Sequence, residues 1–284
     1  VFELIRDLKL YKMHSCSNDF VVIDLRSNKY TQAEIQQLSS RIADRDNGIG
    51  CDQVLALSPS AGADCTMHVY NNDGSESGMC ANGLRCVGRL LAEEKDRDNI
   101  SIEISGEIYK TKRKSPTLVS VNVGKPKILW HEIPLARDMP LPTLKYSCGG
   151  FENPIVLNVG NPHAIFFVEQ SVALEKIDLA RIGSKIENDS LFPEKTNVSF
   201  VKIRDKENLE ARVWERGSGE TKSCGSAASA IAWASFFNGN ITTSSAHVHF
   251  GTDRTIAVKL LEDGSLESTA ETQMVCRKKT FKAV

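Results

Sequence analysis

Two cysteines in this chain stand in matching surroundings. The stretches "GSESGMCANGLRC" (residues 74–86) and "GSGETKSCGSAAS" (217–229) each carry a Gly-Ser turn, a Glu four residues ahead of a Cys, and then a helix-like run. Cys80 and Cys224 lie 144 positions apart. Upstream, "SNDFVVID" (17–24) and "GNPHAIFFV" (160–168) join a small residue and Asn to an apolar strand, and Asn18 and Asn161 lie 143 apart. Two pairs at nearly one offset point to a duplicated domain. A pseudo-two-fold axis would then set Cys80 and Cys224 facing each other across a cleft.

A cysteine just ahead of a helix sits among unpaired backbone N–H groups at the positive end of the helix dipole, and both favour thiolate over thiol. The gain is small. A thiol of ordinary pKa is only roughly 3% ionised at pH 7, and lowering it by two units takes about 2.7 kcal/mol. An exposed helix end supplies only ~0.3–1 kcal/mol. Neighbouring side chains must help, and His163 and Glu215 are the candidates. The same N–H groups could hold a carboxylate. An amino acid held there would have its α-carbon between two sulfurs: one thiolate removes the α-proton, and the opposite thiol delivers a proton to the other face. The centre inverts without a cofactor, and the N–H groups stabilise the charge that builds on the carboxylate. The pair titrates as a unit. A single cysteine near a helix start would more often be a packed thiol, and it is the pairing that favours chemistry.

Bulk properties bound the rest. The chain has 284 residues, 41% hydrophobic and 25% charged, with a formal net charge of −1. That suits a globular protein with a sizeable core, and it argues against nucleic acid or an anionic membrane as partner. No apolar run reaches the ~20 residues of a membrane span. The opening stretch, Val1 to Tyr11, mixes charges with apolar residues and is not expected to be a signal peptide. Eight cysteines occur without a C-x-x-C pair, so neither a structural zinc site nor a dithiol motif is expected. A reducing cytoplasm fits, with most of the other six thiols packed as small apolar groups. The histidines of "HVHF" (247–250) read as alternating strand residues rather than metal ligands, and "GSGETKS" lacks the glycine that a phosphate loop needs before its lysine.

The elements that must position these residues are mostly short strands: Phe20–Leu25, Gln53–Leu57, Cys65–Tyr70, Ile100–Ile104, Leu118–Val123, Ile155–Val159, Ala164–Val168, Val198–Ile203, Leu209–Trp214 and Thr255–Leu261. Thr31-Gln-Ala-Glu34 predicts a capping box opening a helix to about Ala43. Leu84, Val87, Gly88, Leu90 and Leu91 form a helical stripe after Cys80, and Ala227–Phe237 predicts a helix apolar nearly all round, hence buried on all sides. A further helix is expected around Ile177–Ile186. The proline-bearing stretch 131–150 reads as a long connection around a domain boundary.

Six ordered segments, "KMHSCSNDFVVID", "DNGIGCDQ", "NNDGSESGMCANGLRC", "NVGNPHAIFFV", "FPEKTNVSF" and "ERGSGETKSCGS", resemble the diaminopimelate epimerase family. The resemblance implies an isomerase that interconverts LL- and meso-diaminopimelate without a cofactor or metal, in lysine and cell-wall precursor synthesis. The implied fold is α/β (α+β): two pseudo-symmetric domains, each a mixed curled β-sheet around a central helix, with the active site in the cleft between them. The expected domains are 1–125 plus 265–284, and 126–264. By motif, Cys80 and Cys224 are the acid/base thiols, and His163 and Glu215 adjust their ionisation. Asn18, Gln53, Asn71, Asn161, Asn197, Glu215 and Arg216 bind substrate, and Ala81, Asn82, Gly225 and Ser226 supply helix-start N–H groups. The resemblance implies a small-molecule substrate, no nucleic-acid or membrane partner, and leaves room for a homodimer.

Several positions depart from the family pattern. His14-Ser-Cys-Ser17 replaces a Gly-containing loop, Ala81 a Gly, Ser226-Ala227 a Thr-Gly, and "TAETQMVC" (269–276) lacks the Gly-Pro-Ala ending. Ala81 and Ser226 keep their backbone donors, so these changes bear on substrate preference more than on reaction class. The competing readings are a proline racemase-like enzyme or another small-acid isomerase of the same fold, a thiol redox protein, and a binding protein without turnover. Geometry separates the redox reading: an α-carbon ~3–3.5 Å from each sulfur sets the sulfurs roughly 6–7 Å apart, against about 2.05 Å in a disulfide.

Overall fold

A computed structural model describes residues 8–27 and 30–278, with the backbone alone for Lys278. Residues 1–7 and 279–284, which carry most of the opening stretch and both ends of the first expected domain, lie outside the described residues. The chain forms two compact units, Val1–Val121 with Ala270–Val284, and Asn122–Thr269.

The first unit holds β1 (Lys9–Ser15), β2 (Asn18–Asp24), α1 (Gln32–Ala43), β3 (Gln53–Ser58), β4 (Cys65–Asn71), the two-residue β5 (Glu76–Ser77), α2 (Ala81–Lys95), β6 (Asn99–Ile104), β7 (Glu107–Arg113) and β8 (Leu118–Asn122). The second holds β9 (Ser147–Cys148), β10 (Phe151–Glu152), β11 (Ile155–Asn158), β12 (Pro162–Phe167), α3 (Leu179–Glu187), β13 (Asn197–Ile203), β14 (Asn208–Glu215), β15 (Gly219–Thr221), α4 (Gly225–Phe237), β16 (Ser245–His249) and β17 (Thr255–Leu260). The last strand, β18 (Leu266–Lys278), gives its first residues to the second unit and the rest to the first.

The two units repeat one plan. In the first, β1–β2 is antiparallel, β2–β3 parallel across α1, β3–β4 antiparallel, β4–β6 parallel across α2, and β6–β7 antiparallel. In the second, β11–β12 is antiparallel, β12–β13 parallel across α3, β13–β14 antiparallel, β14–β16 parallel across α4, and β16–β17 antiparallel. Each sheet curls back on itself. In the first unit β18 pairs with β1 and with β8, and the Thr272 N–H donates to the Thr117 carbonyl. In the second, the segment after β8 joins β18 to β11 through Val123–Leu266 and Lys127–Asn158 main-chain bonds.

A curled sheet with a helix inside and another outside buries both faces of its strands. That is why β3 and β13 read as apolar runs rather than alternating ones. In the first unit Val21, Ile23, Val54, Ala56 and Tyr70 pack with Ile35, Leu38 and Ile42 of the outer helix α1. In the second, Ala164, Phe166, Val198 and Phe200 pack with Leu179, Ile182 and Ile186 of α3. The inner helices are enclosed: α2 is buried from Ala81 to Gly88, and α4 from Gly225 to Ala232. The last turn of α4 emerges, with Phe237 51% exposed.

The four helices match the expected ones within two residues at most ends, and α1 has its capping box: the Glu34 N–H donates to Thr31 Oγ1 at 3.3 Å, and the Thr31 N–H to Glu34 Oε2 at 2.8 Å. All ten expected strands form. The strands without a sequence expectation are the short ones, together with β1, β7 and β18, while β16 carries the alternation expected at His247–Phe250. Strand β7 is solvent-facing along most of its length, so no apolar alternation marks it. The stretch 131–150 is not a boundary linker. It lies within the second unit, where Ile133, Leu135, Leu144 and Cys148 enter the core. The β1–β2 turn holds Cys16 and Ser17 both at positive φ, 52° and 63°, a two-residue hairpin conformation that usually selects glycine or asparagine.

Enclosure of α2 depends on close approach at Gly88, where a Cβ would meet Thr111 Oγ1 at 2.4 Å and Thr111 Cβ at 2.8 Å. Gly88→Ala gains about 1 kcal/mol of helix propensity, but overpacking against β7 costs ~1–3 kcal/mol. The expected result in urea unfolding is net destabilisation; equal or greater stability would contradict this packing.

Candidate active site

Cys80 is the N-cap of α2, in extended conformation, and its sulfur accepts the Gly83 N–H at 3.4 Å. Its thiol donates to Gln53 Oε1 at 3.3 Å. Gln53 Nε2 in turn donates to Asn71 Oδ1 at 3.0 Å. These three residues meet because Gln53 pairs with Asn71 across β3–β4, and β4 leads through β5 to the helix start. Ala81 and Asn82 open the first turn, whose N–H groups have no intrahelical acceptor. The buried Asn82 side chain accepts from Arg85 Nη1 at 2.6 Å on Oδ1. Asn18 stands apart from this chain: its Nδ2 donates to Asp52 Oδ2 at 3.1 Å. Asp52 is bracketed with Asp19, each carboxylate taking the other's backbone N–H, and Arg45 pairs with both. Burial works against the charge of Asp19, but hydrogen bonds from Arg45 and Lys12 overcome it and hold the carboxyl well below its ordinary range.

The second unit places Cys224 at the equivalent N-cap of α4, only 5% exposed. Ser226 Oγ lies 3.3 Å from its sulfur and 3.1 Å from His163 Nε2. His163 is fully buried, and Nε2 lies 2.8 Å from Asn161 Oδ1. A carbonyl oxygen only accepts, so Nε2 carries the proton; Nδ1 is buried with no hydrogen-bond partner among the described residues. Burial, with the Arg216 charge adding, pushes His163 down to about 3. The imidazole is therefore neutral at working pH and acts as a donor.

Burial pushes the Cys224 thiol well up, and the Glu215 carboxylate pushes it further; hydrogen bonds from Ser226 and the Ala227 N–H pull the other way. The helix start favours the thiolate, as expected, but too weakly to prevail, and Glu215, expected to help ionisation, opposes it instead. A helix end is worth ~0.3–1 kcal/mol at the surface, whereas burying a charge costs several. Glu215 ends β14 and accepts a hydrogen bond from Thr221 Oγ1 across the β14–β15 hairpin. Asn197 accepts the Arg216 N–H on Oδ1 at 3.0 Å and donates to the Pro162 carbonyl at 2.8 Å, so both ends of its carboxamide fasten main chain. Arg216 Nη1 donates to the Glu194 carbonyl at 2.9 Å.

Glu187, at the end of α3, accepts from Trp214 Nε1 at 2.7 Å and from the Gly217 N–H at 2.8 Å, clamping the corner that carries Glu215 and Arg216. Sequence reasoning passed over Glu187, Asp52, Asp73 and Ser75. The last three lie inside the quoted motifs; Glu187 has no local signal. Of the other six cysteines, Cys51, Cys65, Cys86 and Cys148 are buried, as expected for packing. Burial pushes Cys51 up to about 11 and Cys65 up to about 12. Cys16 is half-buried in its turn and Cys276 is exposed, so the packing reading does not extend to them. His247 and His249 alternate with buried residues on β16. Glu76 and Glu220 pair across strands with His68 and Arg212. Among the described residues no cluster of His, Cys, Asp or Glu could hold a metal ion.

The family model for diaminopimelate epimerase matches residues 10–129 and 155–274. The chain is 42% identical over 219 residues to the diaminopimelate epimerase of Acidiphilium cryptum, covering 77% of each. It is 40% identical over 249 residues to that of Pelagibacter ubique, covering 86% of this chain and 88% of the relative. Among solved structures, the chain superposes on a hydroxyproline epimerase from Agrobacterium vitis with a TM-score of 0.67 at 13% identity, covering 95% and 90% of the two chains. A phenazine biosynthesis protein from Bacillus anthracis gives 0.67 at 13% identity, covering 95% and 98%. These two likenesses show the fold, a pair of curled-sheet domains.

Two outcomes follow from the second half. Removing the charge in Glu215→Gln lowers the Cys224 titration, so iodoacetamide should alkylate Cys224 faster at neutral pH in Cys80→Ser protein; an unchanged rate would discount the carboxylate's role. His163 has its ordinary value of 6.5 unfolded and about 3 folded, so its contribution to stability is complete above pH 6.5 and is lost as pH falls toward 3. His163→Gln should remove about 1.36 kcal/mol per pH unit of acid sensitivity in that window, measured by urea unfolding between pH 7 and 5.

Proposed function

The chain belongs to the diaminopimelate epimerase family, and from that premise we propose that Cys80 and Cys224 exchange the α-proton of diaminopimelate as a thiolate–thiol pair. The observation that carries this reading is that both matched segments of the family model include one of the two helix-capping cysteines. The thiolate takes the α-proton on one face and becomes a thiol. The opposite thiol gives its proton to the other face and becomes the thiolate. Charge and protons balance, and LL- and meso-forms interconvert.

Each group has a physical task. The N–H groups of Ala81, Asn82, Gly225 and Ser226 hold the carboxylate next to the reacting carbon and stabilise the charge that develops there. Asn18, Gln53, Asn71, Asn161 and Asn197 suit the ammonium and carboxylate groups of a substrate with two amino acid heads, and Arg216 suits a carboxylate. In the free protein Cys224 is held as a thiol by burial and Glu215. A substrate ammonium beside Glu215 would offset that carboxylate and ease ionisation. Ser226, between His163 and Cys224, supplies the hydroxyl that steadies the sulfur when it is charged. The reading needs no cofactor, and it excludes water from the carbanion.

The same reading places the enzyme in the reducing cytoplasm, where free thiols persist, with a homodimer as its assembly. Among the described residues no helix is long and apolar enough to cross a membrane. A proline racemase-like activity shares the fold, and the sequence relationship favours diaminopimelate over proline.

Solvent deuterium should enter diaminopimelate and not proline on incubation with the protein. Cys80→Ser and Cys224→Ser should each lower kcat/KM by ~100-fold or more, as expected for loss of an acid/base group. Full turnover in either variant would sink the two-thiol mechanism.

A further inference from the structure

A continuous line of hydrogen bonds runs away from Cys80 within the first unit. Its thiol donates to Gln53 Oε1 at 3.3 Å, and Gln53 Nε2 donates to Asn71 Oδ1 at 3.0 Å. Asn71 Nδ2 donates to Ser75 Oγ at 3.0 Å, and the Ser75 hydroxyl donates to Asp73 Oδ1 at 2.6 Å. The turn is closed by main chain. The Ser75 N–H also reaches Asp73 Oδ1 at 2.8 Å, and the Asn71 N–H reaches the Ser75 carbonyl at 2.9 Å.

The line has one allowed direction, set at its far end. An ionised carboxylate only accepts. Ser75, with one proton to give, must give it to Asp73, and its oxygen is then an acceptor for Asn71. Asn71 must therefore turn its NH2 to Ser75 and its carbonyl to Gln53. Gln53 must turn its NH2 to Asn71 and its carbonyl to Cys80. Turning either amide over would set NH2 against NH2 or oxygen against oxygen. At the near end, Cys80 meets a carbonyl oxygen, which a thiol satisfies as a donor and a thiolate does not.

We propose that Asp73 and Ser75 are positioning residues that, through Asn71, fix the orientation of the Gln53 amide and so hold Cys80 as a proton-bearing thiol. The role rests on the reading of Cys80 as an acid/base group for its meaning, but not for its measurement. Asp73 and Ser75 are both exposed, outside the enclosed helix, so substitution there leaves the core intact. The second unit is built differently at the equivalent place. There Glu215 stands where Asn71 stands, and the Cys224 thiol meets a carboxylate directly.

The experiment is the pH profile of Cys80 alkylation by iodoacetamide, in Cys224→Ser protein that needs no turnover. Ser75→Ala cuts the line between Asn71 and the carboxylate, and Asp73→Ala removes its fixed end, which an asparagine oxygen would leave in place. Either variant lets Gln53 turn its NH2 to the sulfur. The expected result is alkylation about threefold to tenfold faster at neutral pH, from a hydrogen bond newly favouring the charged form. The rate at the alkaline plateau should be unchanged, which separates ionisation from access, and Ser75→Thr should restore the original profile. Cys80 shares the buried start of α2 with Cys86, whose charged and titratable neighbours are Cys80 itself, Arg85, Cys16 from the β1–β2 turn and Arg89, and neither substitution touches them. Profiles of Ser75→Ala and Asp73→Ala that coincide with the reference overturn the proposal, as does a rise confined to the plateau. Loss of epimerase activity with an unshifted profile would count against Asp73 and Ser75 and leave the two-thiol reading standing; a shifted profile in a protein that never turns over diaminopimelate would do the reverse.

Discussion

A helix enclosed on every side cannot hand its first N–H groups to bulk water, and α2 and α4 are both enclosed. Each must start on something that accepts. Most helices use an oxygen of Ser, Thr, Asp or Asn for this. Here a sulfur stands at that place: Cys80 takes the Gly83 N–H, whereas Cys224 makes no side-chain cap bond and its sulfur lies against Ser226 Oγ at 3.3 Å. Sulfur is a weak acceptor, so the cap is incomplete and donors are left over at both helix starts. Enclosure itself comes from small side chains. Gly83 and Gly88 let α2 sit close to Leu55 and Thr111, and Ala227, Ala228, Ala230, Ala232 and Ala234 keep α4 slim. The features that make each helix fit inside its sheet also bring a reactive side chain and free N–H groups to the same point.

The repeat is exact enough in register to show where the two halves were made different. Phe20 faces Gln53 in the first unit as His163 faces Asn197 in the second. Asn71 stands opposite Gln53, and Glu215 lies opposite Asn197, one step beyond the Val198–Trp214 pair. A phenylalanine and an amide in one half thus answer a histidine and a carboxylate in the other. The substituted positions are those nearest the cysteines, while the apolar positions behind them keep their character. Duplication supplied two equal caps, and side-chain changes at two places per half gave them unequal chemistry.

The offset of about 144 residues was legible because it is carried by residues that the site requires, and the four helices were legible because their caps and stripes are local. The strands that bury both faces announced themselves as apolar runs. What the sequence hid depends on three dimensions. Strand β7 faces solvent and has no apolar period. The stretch 131–150 looks like a linker by its prolines, yet Ile133, Leu135, Leu144 and Cys148 are spaced to fill a core formed by β12, β13 and α3. Glu187 clamps the Glu215–Arg216 corner from a helix about 30 residues upstream, where it reads as one more surface acid. The direction of the Cys224 shift was hidden for the same reason: the sequence shows a helix start, and the fold decides that burial outweighs it.

The two thiols are consequently held by different means. Cys80 meets the carbonyl of a neutral amide, whose orientation is set by its own neighbours. Cys224 meets a carboxylate, whose effect is set by charge and reaches through space. A neutral amide changes its influence by turning over; a carboxylate changes its influence when a cation comes beside it. Of the two, only the second responds directly to an ammonium group. An amino acid therefore carries, on the atom next to its reacting C–H bond, the charge to which the Cys224 half is sensitive. On the two-thiol proposal, asymmetry at Asn71 and Glu215 lets ionisation of Cys224 depend on what is bound, while Cys80 keeps the proton that the reaction must deliver.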